Sequence, residues 1–197
     1  MPVVECDVET ARQHLENAGI TVEPGNTEHE RWRAKRDEAT AVAYDGKVVI
    51  QGNRPERIEA LLREGGGRVH LYFDGASHGN PGPAAIGWVL VSGDGIVTEG
   101  SSRIGEATNN QAEYRALLAG LETAVEYGFD EIQIRGDSEL VIKQVQGTWD
   151  TNDPTLREHR VRAHELLREF DTYSLTHVPR EVNDRADALA TEALEEG

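Results

Sequence analysis

The chain has 197 residues, 38% of them hydrophobic, and carries a formal net charge of −16. That length allows one domain of ordinary size with a small companion, and no stretch approaches the ~20 apolar residues of a membrane-spanning helix. Cys6 is the only cysteine, so an intramolecular disulfide is excluded, and with no basic-then-apolar leader in Met1-Pro-Val-Val-Glu-Cys-Asp a cytoplasmic protein without membrane attachment is expected.

Along the chain, Asp7 predicts the cap of a helix running to about Ala18, ended by Gly19. Arg31, Trp32, Arg33, Lys35 and Arg36 form the densest basic patch; on a strand, alternation places Arg31, Arg33 and Lys35 on one face. The runs 39–44 and 47–51, joined by Asp45-Gly46, predict a two-residue hairpin. Asn53 and Pro55 then introduce a helix with Ile58, Leu61 and Leu62 as its apolar stripe. Two short helices and a hairpin make a small α+β module over residues 1–64, and Gly65-Gly66-Gly67 reads as a flexible linker.

Residues 68–197 begin with three strand-like stretches, about 69–74, 84–91 and 96–103, separated by glycine-rich turns. Helical spacing of Leu117, Leu121, Ala124 and Val125 predicts a helix over roughly 110–127. A strand at 129–135, helices at 138–146 and 155–169, a last strand at 173–178 and a last helix at 183–195 follow. This order predicts an α/β fold: a five-stranded mixed sheet flanked by helices, preceded by the small module.

The charge is unevenly divided. Residues 1–69 hold 13 acids against 10 Lys and Arg, and residues 70–197 hold 23 against 10. Only Lys35, Lys47 and Lys143 are lysines. Such a surface repels a polyanion at long range, but at ~1 M salt the Debye length is ~3 Å and the repulsion is screened beyond contact. A dense acidic surface poor in lysine therefore predicts a protein adapted to concentrated salt.

Four acids stand in distinctive surroundings. Asp74 ends the apolar run Val69-His-Leu-Tyr-Phe73 and opens the turn Gly75-Ala-Ser-His-Gly-Asn-Pro-Gly-Pro83. Glu113 follows Thr108-Asn-Asn-Gln-Ala112 and continues the buried stripe of its helix. Asp137 follows Glu131-Ile-Gln-Ile-Arg-Gly136, and Asp187 lies in Asn183-Asp-Arg-Ala-Asp-Ala-Leu-Ala190. Singly, each has an ordinary reading: a turn residue, a first-turn acid, a helix cap, a surface acid. Together, at strand ends and helix starts, they would repel one another unless divalent cations lay between them.

In that order the four segments resemble the type 1 ribonuclease H family, specifically its short-loop, archaeal-like members, over about residues 68–197. The resemblance implies an endonuclease that hydrolyses the RNA strand of RNA–DNA hybrids with two Mg²⁺ or Mn²⁺ ions, leaving 5′-phosphate and 3′-hydroxyl ends. Asp74, Glu113, Asp137 and Asp187 would be its metal ligands and catalytic acids. Asn80, Asn109 and Asn110 would read the RNA strand through its 2′-hydroxyls, and Thr108 would contact a phosphate of the DNA strand. Arg180 stands where many members carry a mobile loop histidine and joins the catalytic set; His177 is expected to be structural.

The basic protrusion of many members has no counterpart in Val145–Pro154, which contains no cation; Trp149 there is either a stacking platform or a hydrophobic plug. The N-terminal module weakly resembles the TATA-binding-protein-like domain of type 3 ribonuclease H, which implies an accessory role in holding substrate. Activity on double-stranded RNA is left open by the sequence, since 2′-hydroxyl recognition does not itself demand DNA on the other strand, and a monomer is expected. The alternative is a protein of the same fold and polynucleotidyl-transferase class that binds nucleic acid without this activity.

Overall fold

The computed structural model describes residues 1–62, 67–93 and 95–196. The chain divides into two compact units, residues 1–67 with 126–130, and residues 68–125 with 131–197. Gly65 and Gly66 of the expected linker lie outside the described residues.

The N-terminal unit is built on a five-stranded antiparallel sheet in the order β1-β5-β4-β3-β2, formed by β1 (Val3–Glu5), β2 (Val22–Pro24), β3 (Trp32–Arg36), β4 (Ala39–Tyr44) and β5 (Lys47–Gly52). The hairpin at Asp45-Gly46 forms as its sequence dictates, with Tyr44 opposite Lys47 and Gly46 at φ 72°. Helix α1 (Val8–Asn17) starts at Asp7, whose carboxylate accepts from the Thr10 N–H at 2.8 Å. The buried Trp32 ring donates its indole N–H to the Val8 carbonyl at 2.8 Å, tying α1 to β3. Helix α2 (Glu56–Leu62) buries Ile58, Leu61 and Leu62. The module is thus richer in strands than its sequence suggests. Three-residue strands such as β1 and β2 are too short to show an alternating pattern, and they form by pairing along β5 and β3. Trp32 and Ala34 are buried, whereas Arg33 is half-buried and Lys35 exposed, so the two cations share the opposite face of β3.

The second unit has a mixed sheet in the order β10-β9-β6-β7-β8. Strands β6 (Arg68–Ser77), β7 (Gly82–Ser92) and β8 (Gly95–Ala107) form the antiparallel meander; β9 (Glu131–Gly136) runs parallel to β6, and β10 (Thr172–His177) parallel to β9. Helices α3 (Asn109–Glu126), α4 (Glu139–Gln146), α5 (Pro154–Leu167) and α6 (Asp184–Glu195) complete it, with one turn of 3-10 helix, Arg180–Asn183, before α6.

Pairing along β6 ends unevenly. Its parallel pairing with β9 stops at Phe73 opposite Gly136, while its antiparallel pairing with β7 continues to Ser77 opposite Ala84. The sequence turn at Gly75 is therefore still strand. Asp74 and Asp137 are the next residues beyond the last parallel pair, where β6 and β9 cease to share hydrogen bonds and a gap opens at the carboxyl ends of the strands.

Two glycines set helix positions. A Cβ on Gly75 would lie 2.3 Å from the Glu113 backbone nitrogen, so only glycine lets the first turn of α3 sit directly on β6. A Cβ on Gly87 would lie 2.5 Å from the Ala186 carbonyl oxygen and 2.7 Å from the Ala190 nitrogen, backbone atoms of α6. Val89 of β7 packs with Ala186 and Leu189 of α6, and Tyr72 joins them, so α6 covers the face of β6 that carries Tyr72 and, by alternation, Asp74. Gly87→Ala must push α6 off the sheet. We expect a loss of about 1–3 kcal/mol or more, read as a lower denaturation midpoint at unchanged m-value; an unchanged midpoint would contradict this packing.

Candidate metal centre

Each acid reaches the site by a different local rule. Asp74 is carried by β6, two residues beyond Tyr72 and on the same face. Glu113 lies just beyond the first turn of α3, on the helix side that also buries Leu117 and Leu121. Asp137 follows β9 and precedes Ser138, whose hydroxyl caps α4 by accepting from Val141 N–H at 3.3 Å. Asp187 is in the first turn of α6. Ligand oxygens of Asp74, Glu113 and Asp137 all lie within 4.8 Å of one another. Asp187 lies outside that compact group of three, but its carboxyl is close enough to help raise the Asp74 carboxyl, so it borders the group.

The electrostatics are unfavourable without a cation. Asp74 and Glu113 are only 5% and 6% exposed. Burial, then its hydrogen bond with Asp187 and the charge of Asp137, push the Asp74 carboxyl up to about 7. Burial together with the charges of Asp74 and Asp137 drives Glu113 well above the ordinary carboxylate range, although the Gly75 N–H donates to it. The buried Glu113 Oε2 has no hydrogen-bond partner. An orphaned buried oxygen in an all-carboxylate donor set fits a hard divalent cation better than any protein partner.

Of the remaining sequence-selected residues, Arg180 touches one of the acids and the others lie around the start of α3. Arg180, in the 3-10 turn, donates from a terminal guanidinium nitrogen to Asp187 Oδ1 at 3.2 Å and remains largely exposed. Asn80, in the turn between β6 and β7, accepts through Oδ1 from the Asn109 N–H at 3.0 Å, which places the two at one point on the surface. Asn109 is exposed and Asn110 half-buried. Thr108 has a structural role of its own, as the cap of α3. Its hydroxyl accepts from the Gln111 N–H at 3.2 Å, and the Gln111 side chain accepts from the Thr108 N–H at 3.0 Å, a reciprocal capping box. Gln111 thereby has a definite role in the start of the helix that carries Glu113.

Two residues make contacts that were not assigned from sequence. The His177 ring donates from Nε2 to the Asp137 carbonyl at 3.2 Å, so this exposed strand-end histidine borders the acids. Asn183, only 1% exposed, donates from Nδ2 both to the Phe73 carbonyl at 2.8 Å and to Asp137 Oδ1 at 3.0 Å. Asparagine ahead of a helix normally signals a cap, and nothing local distinguishes this one.

The Reverse transcriptase-like family profile matches residues 72–193. The Ribonuclease HI of Halobacterium salinarum is 63% identical over 198 residues, covering the whole of both chains. The crystal structure of RNase H1 from that halophilic archaeon covers 66% of this chain and all of its own, at 70% identity and a TM-score of 0.65. LC11-RNase H1 in complex with an RNA/DNA hybrid is 39% identical, with a TM-score of 0.62, over 65% of this chain and 97% of that one.

The raised acids predict a stability signature. Asp74 keeps a proton when folded that the unfolded chain has already lost, so its contribution is fully present below pH ~4 and is lost as pH rises to about 7. In the absence of divalent cations at pH 8, Asp74→Asn should therefore be more stable than the parent by about 2–4 kcal/mol. The gain should vanish toward pH 4, and adding Mn²⁺ should stabilise the parent far more than the variant. Denaturant unfolding with and without chelator measures both; a variant less stable than the parent at pH 8 would contradict the assignment.

Proposed function

The chain belongs to the type 1 ribonuclease H family, and on that premise we propose that it hydrolyses the RNA strand of RNA–DNA hybrids, leaving 5′-phosphate and 3′-hydroxyl ends. The observation that carries this is the convergence of four carboxylates from β6, α3, the end of β9 and α6 beside an asparagine-lined surface. We assign Asp74, Glu113, Asp137 and Asp187 to two Mg²⁺ or Mn²⁺ ions. Such ions, when bound, supply Lewis acidity to the scissile phosphodiester and to the attacking water.

The chain's own residues do the rest. Asp74 would serve both ions, with Glu113 and Asp137 completing one site and Asp187 the other. Arg180 restrains Asp187 through its 3.2 Å hydrogen bond, and its largely exposed guanidinium can engage a substrate phosphate. Asn80, Asn109 and Asn110 offer amides that both donate and accept, matching a 2′-hydroxyl that does the same. The Asn80–Asn109 bond fixes two of them to the N-terminus of α3, and the Thr108–Gln111 cap holds that terminus. Thr108 is half-buried in this cap, and a phosphate of the DNA strand would meet it there.

Recognition through 2′-hydroxyls does not itself require DNA on the opposite strand, so duplex RNA is proposed as a second, weaker substrate. The dense acidic charge supports action in concentrated salt, as a cytoplasmic monomer; among the described residues no helix is long and apolar enough to cross a membrane.

The N-terminal unit, residues 1–64, is proposed as a substrate-holding accessory. Arg33 and Lys35 of β3 line a cleft of about 360 Å³ with Thr21, Glu23, Asn26 and Thr40. Glu30 lies 3.6 Å from Arg33 and partly offsets it, so the contribution is modest. Replacing both cations by alanine should raise KM a few-fold at constant kcat, and should reduce the log–log salt slope of binding by about 1–2. An unchanged KM and slope would remove this role.

The catalytic proposal is tested with a labelled hybrid across roughly 0.1 to 3 M KCl, a range in which the screening length falls from ~10 Å to below ~3 Å, with and without Mn²⁺. Cleavage of the RNA strand should require the metal and persist or rise at high salt. Asp137→Asn should lose at least ~10³-fold in kcat while still unfolding cooperatively. Full activity in that variant would overturn the site. Hybrid binding without cleavage by the parent at every salt would favour the alternative, a non-hydrolytic nucleic-acid-binding protein.

A further inference from the structure

Asn183 occupies the N-cap of α6, yet its side chain makes no capping hydrogen bond. It points instead into the sheet. Phe73 O and Asp137 Oδ1 are both acceptors, so the side-chain atom between them must be the amide nitrogen. Both amide hydrogens are thereby used. One holds the backbone of β6 at the residue before Asp74; the other holds a carboxylate oxygen of Asp137 beyond the end of β9. The residue itself begins the helix that bears Asp187 four positions later. A single buried amide therefore joins the three elements that carry Asp74, Asp137 and Asp187, across the gap where β6 and β9 no longer pair.

The arrangement retains an unfavourable feature. Asn183 Oδ1 is buried without a hydrogen-bond partner, a penalty that an apolar residue of similar size would avoid. An anchor for β6 alone would not need the second donor, because the Phe73 carbonyl takes only one. The second donor has a chemical consequence. An amide N–H facing Asp137 Oδ1 requires that oxygen to accept and leaves the other Asp137 oxygen as the one offered to a cation. Hydrogen bonds of this kind to ligating carboxylates fix their orientation.

We propose that Asn183 is a positioning residue that orients Asp137 for divalent-cation binding. This rests on the reading of the four acids as the cation-binding group. Asn183→Asp would turn an acceptor toward both the Phe73 carbonyl and Asp137 and add a further carboxylate; Asn183→Ala would leave both acceptors unpaired.

The test uses the full chain in concentrated KCl with Mn²⁺ alone as the probe. Asn183→Ala and Asn183→Ser are compared with the parent for Mn²⁺ affinity by calorimetry and for cooperative thermal unfolding. The proposal expects affinity to fall about 10–100-fold in variants that remain folded. A lower melting temperature with unchanged Mn²⁺ affinity would show an anchor of β6 only and would overturn it. Should neither variant fold, the side-chain amide resonances of Asn183 in the parent decide. They should exchange slowly with solvent and shift in step with Mg²⁺ saturation; rapid exchange or no response overturns the proposal. A parent that neither binds Mn²⁺ nor cleaves hybrid would instead defeat the functional reading, and this proposal with it. A parent that does both, beside variants of unchanged affinity, would defeat only the role of Asn183.

Discussion

The mutual repulsion of carboxylates at the gap between β6 and β9 is the constraint around which the catalytic unit is arranged. Asp74 and Glu113 are nearly buried, their oxygens lie within 4.8 Å of those of Asp137, and Asp74 also meets Asp187. Among the described residues no cationic side chain sits between the buried acids; Arg180 reaches only Asp187, at the exposed side. Burial first, and the neighbouring carboxylates with it, push Asp74 up to about 7 and Glu113 well above the ordinary carboxylate range. Such a group of carboxylates is consistent with compensation by divalent cations from outside the protein.

The scaffold is rigid where that repulsion has to be resisted. Gly75 lets α3 rest on β6, Gly87 lets α6 rest on β7, and the Thr108–Gln111 box fixes the start of α3. On the far side of α6, Arg185 forms two charged hydrogen bonds to Glu99 of β8, at 2.9 and 2.6 Å. Carboxylates held by four separate elements cannot relax apart without moving a packed helix or a paired strand. The rest of the surface follows a different demand: 36 acids against 20 Lys and Arg give a field that opposes a polyanionic substrate unless salt screens it.

Much of this was legible in the sequence, because local chemistry decides it. Asp7 caps α1, Asp45-Gly46 makes the hairpin, and the four acids lie in segments whose periodicity already places them at strand ends or helix starts. What was hidden depends on distant partners. The strands β1 and β2 exist by pairing, and three residues carry no pattern. Gly75-Ala-Ser77 looks like a turn but stays in the sheet because Ala84–Ile86 pair with it. The role of Asn183 requires Phe73, 110 residues away, and its local context predicts only a cap. The box at Thr108-Asn-Asn-Gln111 is the opposite case: its spacing is a recognised cap signature, and the resemblance drew attention to substrate contacts instead.

The central claim is that the buried acids hold protons when empty and surrender them to divalent cations. Calorimetric titration of the full chain with Mn²⁺ near a pH of about 6.5, in two buffers of different ionisation enthalpy, counts the protons released on binding. The account predicts release of up to about one proton per chain from Asp74, which is held at about 7 and must ionise to ligate, with Glu113 shifted in the same direction. Binding without proton release, or no binding, would contradict it.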